Sequence, residues 1–532
     1  MNKPIAILTG SLLIVGLMIY WMAINERSVS RSRLALPSRT DAQPTENENS
    51  TTEVILLCAA SNQAAIEAIR KQYEAECGRR VSVQYGNSQS LLSQLEVSKR
   101  GDLFLPADDS FMEFAQEKGL IAERLPVASM QVGLAVAKGN PKQIKALSDL
   151  TREDVRLVQA APEAAAVGRI TKIHLEKLGK WEGLKHATEA FRSTVSEVAT
   201  DVILGAADVG IVYDAVLYPF PELEFVQVEE FSKAVSQVSI GVSRGAENSP
   251  AALHFARYVT AMDRGLQVYR EQGFSVGQGD VWEDVPDLTI YAGSMLRPAI
   301  EDSIIEFEKR EGVKVSRSYN GCGILVAQMK AGQIPDAYFA CDKEFMSQVT
   351  DVFPEATTVS QNELVILVPK GNPNKITSLR DLTMPGLRVG IGHEKQCAMG
   401  WITQNTLRES GIQNELMANV TVQTPTGDML VNQLRTGSLD AAVAYLSNAA
   451  GAAQYLDAIQ IKGISCSTAE QPWGVAKTSK FPLLADRLFK RICSEESQEI
   501  FIAEGFRWNR GEKVSNQPKF VSPAAAIPTD QP

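Results

Sequence analysis

Apolar positions along this chain fall into two alternating rhythms. Val54-Ile-Leu-Leu57 is a short continuous apolar run of the kind a buried strand shows, and Ile66, Ile69 and Tyr73 follow it at helical spacing. Val81-Ser-Val-Gln-Tyr85 predicts a second strand, and Leu91, Leu92 and Leu95 begin a second helix. The order then returns far downstream. Leu288-Thr-Ile-Tyr291 is a strand, Ile300, Ile304 and Phe307 mark a helix, Val313-Lys-Val315 is a strand, and Leu325, Val326 and Met329 lie on a helix. Strand and helix in alternation predict an α/β fold, a parallel sheet with helices on its faces.

The two stretches are copies of one unit. Lys138-Gly-Asn-Pro-Lys-Gln-Ile-Lys-Ala-Leu-Ser-Asp-Leu150 reappears as Lys370-Gly-Asn-Pro-Asn-Lys-Ile-Thr-Ser-Leu-Arg-Asp-Leu382. Gly168 pairs with Gly400, Gly205-x-x-Asp208 with Gly437-x-x-Asp440, Tyr213 with Tyr445, and Gly273-Phe274 with Gly505-Phe506. Their separation far exceeds the ~20 to 50 residues of solenoid and propeller repeats, so each copy is expected to bury its own core. The expected division is 53–275 for the first domain, 276–287 for a linker rich in glycine and acids, and 288–508 for the second.

Outside the copies the pattern changes. Residues 4–24 carry no charge and are long enough to cross a bilayer core of ~30 Å as a helix. Residues 1–27 are therefore expected to be a retained membrane anchor, with a cleaved signal as the alternative. Lys3 precedes the segment, whereas Arg27, Arg31, Arg33 and Arg39 follow it, which by positive-inside counting places the body in the cytoplasm. Residues 28–52 lack an apolar period and read as a flexible tether, and 509–532 read as a disordered tail.

Composition excludes more than it assigns. With 532 residues, 44% of them hydrophobic and 22% charged, the chain is long enough for two globular domains. A net charge of -10 argues against a nucleic-acid surface, which needs clustered Lys and Arg. Seven cysteines without a Cys-x-x-Cys pair suggest neither a zinc site nor a dense disulfide framework. His174, His186, His254 and His393 lack the spacing of a helical metal pair, and Trp401, Trp473 and Trp508 read as packing residues. Phosphate-loop and zinc-protease motifs are absent from the sequence. Cys322, flanked by glycines, has no visible base or oxyanion partner beyond a distant His393. No enzymatic activity, cofactor or metal is expected.

In open α/β sheets, ligands sit where strands end and helix N-termini begin. Small hydroxyl or thiol side chains occupy those places here: Ala60-Ser61-Asn62 and Gly86-Asn87-Ser88-Gln89-Ser90 in the first copy, Gly293-Ser294-Met295 and Gly321-Cys322-Gly323 in the second. Any one such serine can simply cap its helix. Pairs of them at successive strand exits, in both copies, point to an anion pocket.

These residues resemble the periplasmic molybdate-binding proteins, type II solute-binding proteins that deliver tetrahedral oxyanions to an ATP-driven importer. The likeness rests on Ala59-Ala60-Ser61, Ser88-Gln-Ser-Leu-Leu-Ser-Gln94, Asp102-Leu-Phe-Leu-Pro-Ala-Asp108 with its counterpart Asp336-Ala-Tyr-Phe-Ala-Cys-Asp342, Pro162-Glu-Ala-Ala-Ala-Val-Gly-Arg169 and Gly205-Ala-Ala-Asp-Val-Gly-Ile-Val-Tyr213. It implies two tandem type II periplasmic-binding-protein domains, each of two α/β lobes around a ligand cleft. Carried over by position, it implies ligand contacts from Ser61, Ser88, Val167, Val195 and Tyr213, and from Ser294, Cys322, Met399, Gly427 and Tyr445. It further implies capture of molybdate on the extracytoplasmic side, for an ABC permease and ATPase or for sensing, the chain being held at the inner membrane by 4–24 or cleaved and soluble. Tungstate, sulfate, and a membrane-tethered interaction module with vestigial pockets are the alternatives.

Three departures from the family pattern bear on the pockets. Gln89 stands where a glycine is usual, and its side chain either adds a donor or crowds the site. Cys322 replaces the second serine, a thiol being a weaker donor than a hydroxyl. Met399 replaces a small alanine.

Overall fold

The computed structural model describes residues 53–509. The expected anchor, the tether up to residue 52 and the tail from residue 510 lie outside them. Among the described residues no helix is long and apolar enough to cross a membrane.

Each copy forms one ten-stranded sheet system with its own core. The first contains β1 (Val54–Ala59), β2 (Val81–Gly86), β3 (Leu103–Leu105), β4 (Ile121–Ala137), β5 (Leu157–Ala160), β6 (Thr188–Arg192), β7 (Val209–Tyr213), β8 (Leu223–Val226), β9 (Val235–Ser243) and β10 (Ser275–Val276). The second contains β11 (Asp287–Gly293), β12 (Lys314–Asn320), β13 (Ala337–Phe339), β14 (Ala356–Pro369), β15 (Val389–Gly392), β16 (Val420–Thr424), β17 (Ala441–Tyr445), β18 (Leu456–Gln460), β19 (Thr468–Val475) and β20 (Arg507–Trp508). The strand orders, β2-β1-β3-β9-β4-β7-β5-β6 and β12-β11-β13-β19-β14-β17-β15-β16, are the same.

The helices anticipated from apolar spacing run Gln63–Cys77, Ser88–Ser98, Arg297–Glu311 and Cys322–Lys330. Ile66, Ile69, Tyr73, Ile300, Ile304 and Phe307 are all buried, so the predicted stripe is the face turned to the core. The sheets, however, are mixed rather than parallel. β1 pairs in parallel with β2 and β3, and β5 with β6 and β7, but β4 is antiparallel to both β9 and β7. The cause is the two-lobed plan. β4 pairs with β9 through Ile121–Gln131 in one lobe and with β7 through Val132–Val136 in the other, and β9 brings the chain back beside it. A strand returning directly alongside the outgoing one must be antiparallel.

The duplicated Lys-Gly-Asn-Pro segment is the same turn twice. Gly139 and Asn140 have φ of 80° and 46°, and Gly371 and Asn372 have 81° and 45°. Asn140 Nδ2 donates to Ile144 O at 2.7 Å, and Asn372 Nδ2 donates to Ile376 O at 2.7 Å. An Asn that tolerates left-handed backbone and closes its own loop explains this part of the repeat.

The segment between the copies makes defined contacts. Both carboxylate oxygens of Asp280 accept from the second copy, from Leu483 N at 2.7 Å and Leu484 N at 3.0 Å, at the start of helix Pro482–Ile492. Next to it, Arg487 forms a two-pronged ion pair with fully buried Glu311 at 3.0 and 2.9 Å. Arg257, from helix Ser249–Val259 of the first copy, donates to Glu311 O at 2.5 Å. Burial alone would raise the Glu311 pKa, but the two guanidinium groups hold it below the usual value.

Candidate functional site

In the first copy, the five residues expected at the ligand surround a single cavity of about 20 Å³ between the lobes: Ser61, Ser88, Val167, Val195 and Tyr213 all line it. Each arrives on a different element. Ser61 follows β1, Ser88 opens helix Ser88–Ser98, Val167 lies in the first turn of Ala166–Lys177, Val195 opens Val195–Ile203, and Tyr213 ends β7. Several first-turn backbone amides, which have no partner within their own helices, therefore converge on one small space.

Polar groups at the cavity are free toward it. Ser88 Oγ accepts from Ala107 N at 3.1 Å, so its hydroxyl hydrogen remains available. Tyr213 OH and Tyr445 OH are buried without a hydrogen-bond partner, and burial raises both pKa values well above the usual tyrosine range. Ser236, close enough to Tyr213 to favour its ionised form slightly, directs its own hydroxyl to Ala107 O at 2.6 Å and Asp108 Oδ2 at 3.0 Å. Among the described residues no charged side chain lines the cavity. Gln89 neither adds a donor nor crowds the space: its side-chain amide turns away to Ser93 Oγ at 3.1 Å, while its backbone N–H reaches across the cleft to Ala164 O at 3.3 Å.

The second copy has a matching cavity, also about 20 Å³, and Ser294, Met399, Gly427 and Tyr445 line it. Cys322 differs from its expected role. It is disulfide-bonded to Cys341 and has no S–H to donate. Its sulfur accepts from Cys341 N at 3.1 Å, as Ser88 accepts from Ala107 N. The bond left no signal in the sequence, because the partner lies 19 residues away in Asp336-Ala-Tyr-Phe-Ala-Cys-Asp342, the counterpart of a family strand and not of a ligand-binding segment. The register also corrects the matching of the first serine. Counted from helices Gln63–Cys77 and Arg297–Glu311, Met295 stands where Ser61 does, and Ser294 takes the place of Ala60.

The flanking glycines of Cys322 have a steric reason. A Cβ on Gly323 would lie 1.9 Å from Lys395 O, and one on Gly321 2.4 Å from Gln396 O. The lobes touch there, and Gly323 N donates to Gln396 O at 3.0 Å.

Two other places gather polar groups or ligand atoms. A groove of about 970 Å³ lies between the copies, and three of its cations are held in ion pairs with its own walls: Arg310 with Glu123 at 2.6 Å, Arg124 with Asp109, and Arg491 with Glu496 at 3.0 Å. Cys77, His254 and Asp284 bring three potential metal-binding atoms within 4.8 Å of one another, a cluster that scattered sequence positions concealed. Both nitrogens of His254 are already engaged, by Tyr73 OH at 2.9 Å and Asp284 at 2.8 Å.

Comparison with known proteins agrees with this architecture. The family model of the bacterial extracellular solute-binding proteins matches residues 54–275 and again 288–507. The chain belongs to that family, twice over. A relative named molybdate-binding protein ModA, from Mycobacterium bovis, is 29% identical over 249 residues, covering 45% of this chain and 89% of its own. ModA of Escherichia coli is 25% identical over 142 residues, covering 25% and 55%. The solved periplasmic molybdate-binding protein of Azotobacter vinelandii is 16% identical, with a TM-score of 0.38 over 42% of this chain and all of that one. As an extracellular solute-binding protein, the chain is a binder and not an enzyme, and its fold is two tandem type II binding-protein domains.

Proposed function

We propose that the first copy captures a small tetrahedral oxyanion, molybdate foremost, and that the chain supplies it to an ABC-type importer or a sensor at the extracytoplasmic face. The observation that carries this reading is the cavity holding Ser61, Ser88, Val167, Val195 and Tyr213, with one orphan tyrosine hydroxyl and no charged side chain. Neutral O–H and N–H donors fixed in a closed space replace the water shell of a dianion without a lysine. That is how a protein with a net charge of -10 binds an anion. The relatives named for molybdate support the choice of ligand.

Thermal unfolding of the full chain with molybdate, tungstate, sulfate and phosphate tests it. A ligand present at ~100 times its dissociation constant adds about 2.7 kcal/mol of stability. Stabilisation by molybdate or tungstate above sulfate supports the reading; stabilisation by sulfate alone reassigns the ligand. A flat response to all four leaves the pockets vestigial and overturns it.

A further inference from the structure

Set side by side, the two cavities differ in a consistent direction. At matched positions Ser61 becomes Met295, Ser88 becomes Cys322, Ala107 becomes Cys341, Ala165 becomes Cys397 and Val167 becomes Met399. Each change introduces sulfur, and four of the five sulfur residues line the second cavity, the fifth being bonded to one of them. The two side-chain hydroxyls of the first lobe are both gone. Polar groups nevertheless remain around the space: Ser294, Asn448, and Tyr445, whose buried hydroxyl has no partner. A purely degenerate pocket would have no reason to keep an unpartnered buried hydroxyl, which is costly unless a ligand meets it.

We propose that the second cleft, once its disulfide is reduced, is a site for a thiol-reactive trivalent oxyacid of the arsenite type rather than for a hard tetrahedral dianion. This rests on the reading of the second copy as a solute cleft. A dithiol reductant first exchanges with Cys322–Cys341, giving two protein thiols and the reductant's disulfide. The neutral acid As(OH)3 then condenses with both thiols: two As–S bonds form, two As–O bonds break, the two thiol protons leave on the departing hydroxyls, and two waters are released. No oxidation state changes in this second step. The remaining As–OH is left to the Ser294 and Tyr445 hydroxyls, and Cys397 offers a third sulfur on the opposite lobe at the start of helix Ala398–Glu409. Sulfur ligands suit a soft centre as oxygen ligands suit a hard one. With the disulfide intact the cleft has no dithiol, so capture is confined to the reduced state.

Arsenite itself is the probe, read on the full chain by native mass spectrometry and calorimetry. The dithiol-reduced chain is expected to take up one arsenic with loss of two waters, and the oxidised chain none. Cys322→Ser combined with Cys341→Ala, which installs the first copy's residues, should abolish uptake. Ser294→Ala with Tyr445→Phe should weaken it by about tenfold or more, because hydroxyls that meet the ligand are removed. No uptake by the reduced chain overturns the proposal. So does uptake that survives the cysteine variant, which assigns it to other thiols, or uptake indifferent to the hydroxyl variant, which reduces it to dithiol reactivity outside a cleft. Molybdate titrated into the same reduced chain reads the first cavity, so failure there with arsenite uptake intact counts against the first copy's assignment alone.

Discussion

Tyr213 and Ser88 differ in what they do before any ligand arrives, and that difference separates binding from folding. Ser88 already accepts the Ala107 amide, whereas the Tyr213 hydroxyl is buried and unpartnered. Tyr213→Phe should therefore leave the unliganded protein as stable as before, or stabilise it by up to ~1 to 3 kcal/mol, while weakening oxyanion binding. Ser88→Ala should weaken binding by about tenfold and also cost stability, since the Ala107 amide loses its acceptor. Calorimetric titration and chemical denaturation of both variants check this; Tyr213→Phe that destabilises the free protein without touching affinity would place the hydroxyl in the fold instead. His254 sets a second expectation at this scale. Burial, reinforced by Arg79, lowers its pKa to about 4, with Asp284 pulling the other way. The unfolded chain takes up a proton near pH 6.5 that the folded one refuses, so stability present above pH 6.5 is lost as pH falls toward 4. The urea midpoint of His254→Asn should decline less steeply than the wild type between pH 7 and pH 5; parallel declines would mean that the imidazole is not the group responsible.

Where lobe meets lobe, the limits are set by backbone. Gly323→Ala places a methyl group 1.9 Å from Lys395 O, too close for any real contact, at an element junction where no side chain can yield. The second cleft should open, and the amide of residue 323, now bonded to Gln396 O, should exchange its hydrogen faster while the amide of Gln89 in the first cleft is unaffected. Hydrogen-exchange mass spectrometry over both segments decides; equal protection in variant and wild type would show that the lobes close by another route. The same elements show what the sequence made legible. Strand exits with serines were visible because they follow local rules of apolar spacing and helix starts, whereas the tyrosine ending β7 was reached only through the repeat and the resemblance to the molybdate-binding family. The antiparallel crossing by β4 and β9 was not, because it follows from the chain passing between lobes, which no window of residues records. Nor was the Cys322–Cys341 bond, which joins two strand exits across the sheet, nor the one-residue offset that sets Met295, not Ser294, opposite Ser61.

Two cores make one molecule through a charged joint. The apolar clusters of the copies are separate, one drawn from residues 54–282 and the other from 288–508. Between them Glu311 meets Arg487 and Arg257, and burial lowers the Arg257 pKa to about 10 despite the carboxylate beside it. Such a triad is a conditional attachment: two guanidinium groups stay buried because one carboxylate answers both. Removing it in Glu311→Ala leaves those charges with only the through-space attraction of carboxylates they do not contact, Asp280 among them, at a cost of about 3 to 5 kcal/mol. Since each copy keeps a complete core, the loss should fall on the joint, and calorimetry should resolve two unfolding transitions where the wild type shows one. Replacing Arg257, Glu311 and Arg487 together with apolar residues of similar volume should restore a single transition, because the desolvation cost goes with the charges. If Glu311→Ala instead unfolds in one step at the wild-type temperature, the copies are held by their linker and by Asp280 on helix Pro482–Ile492, and the buried triad contributes nothing to their union.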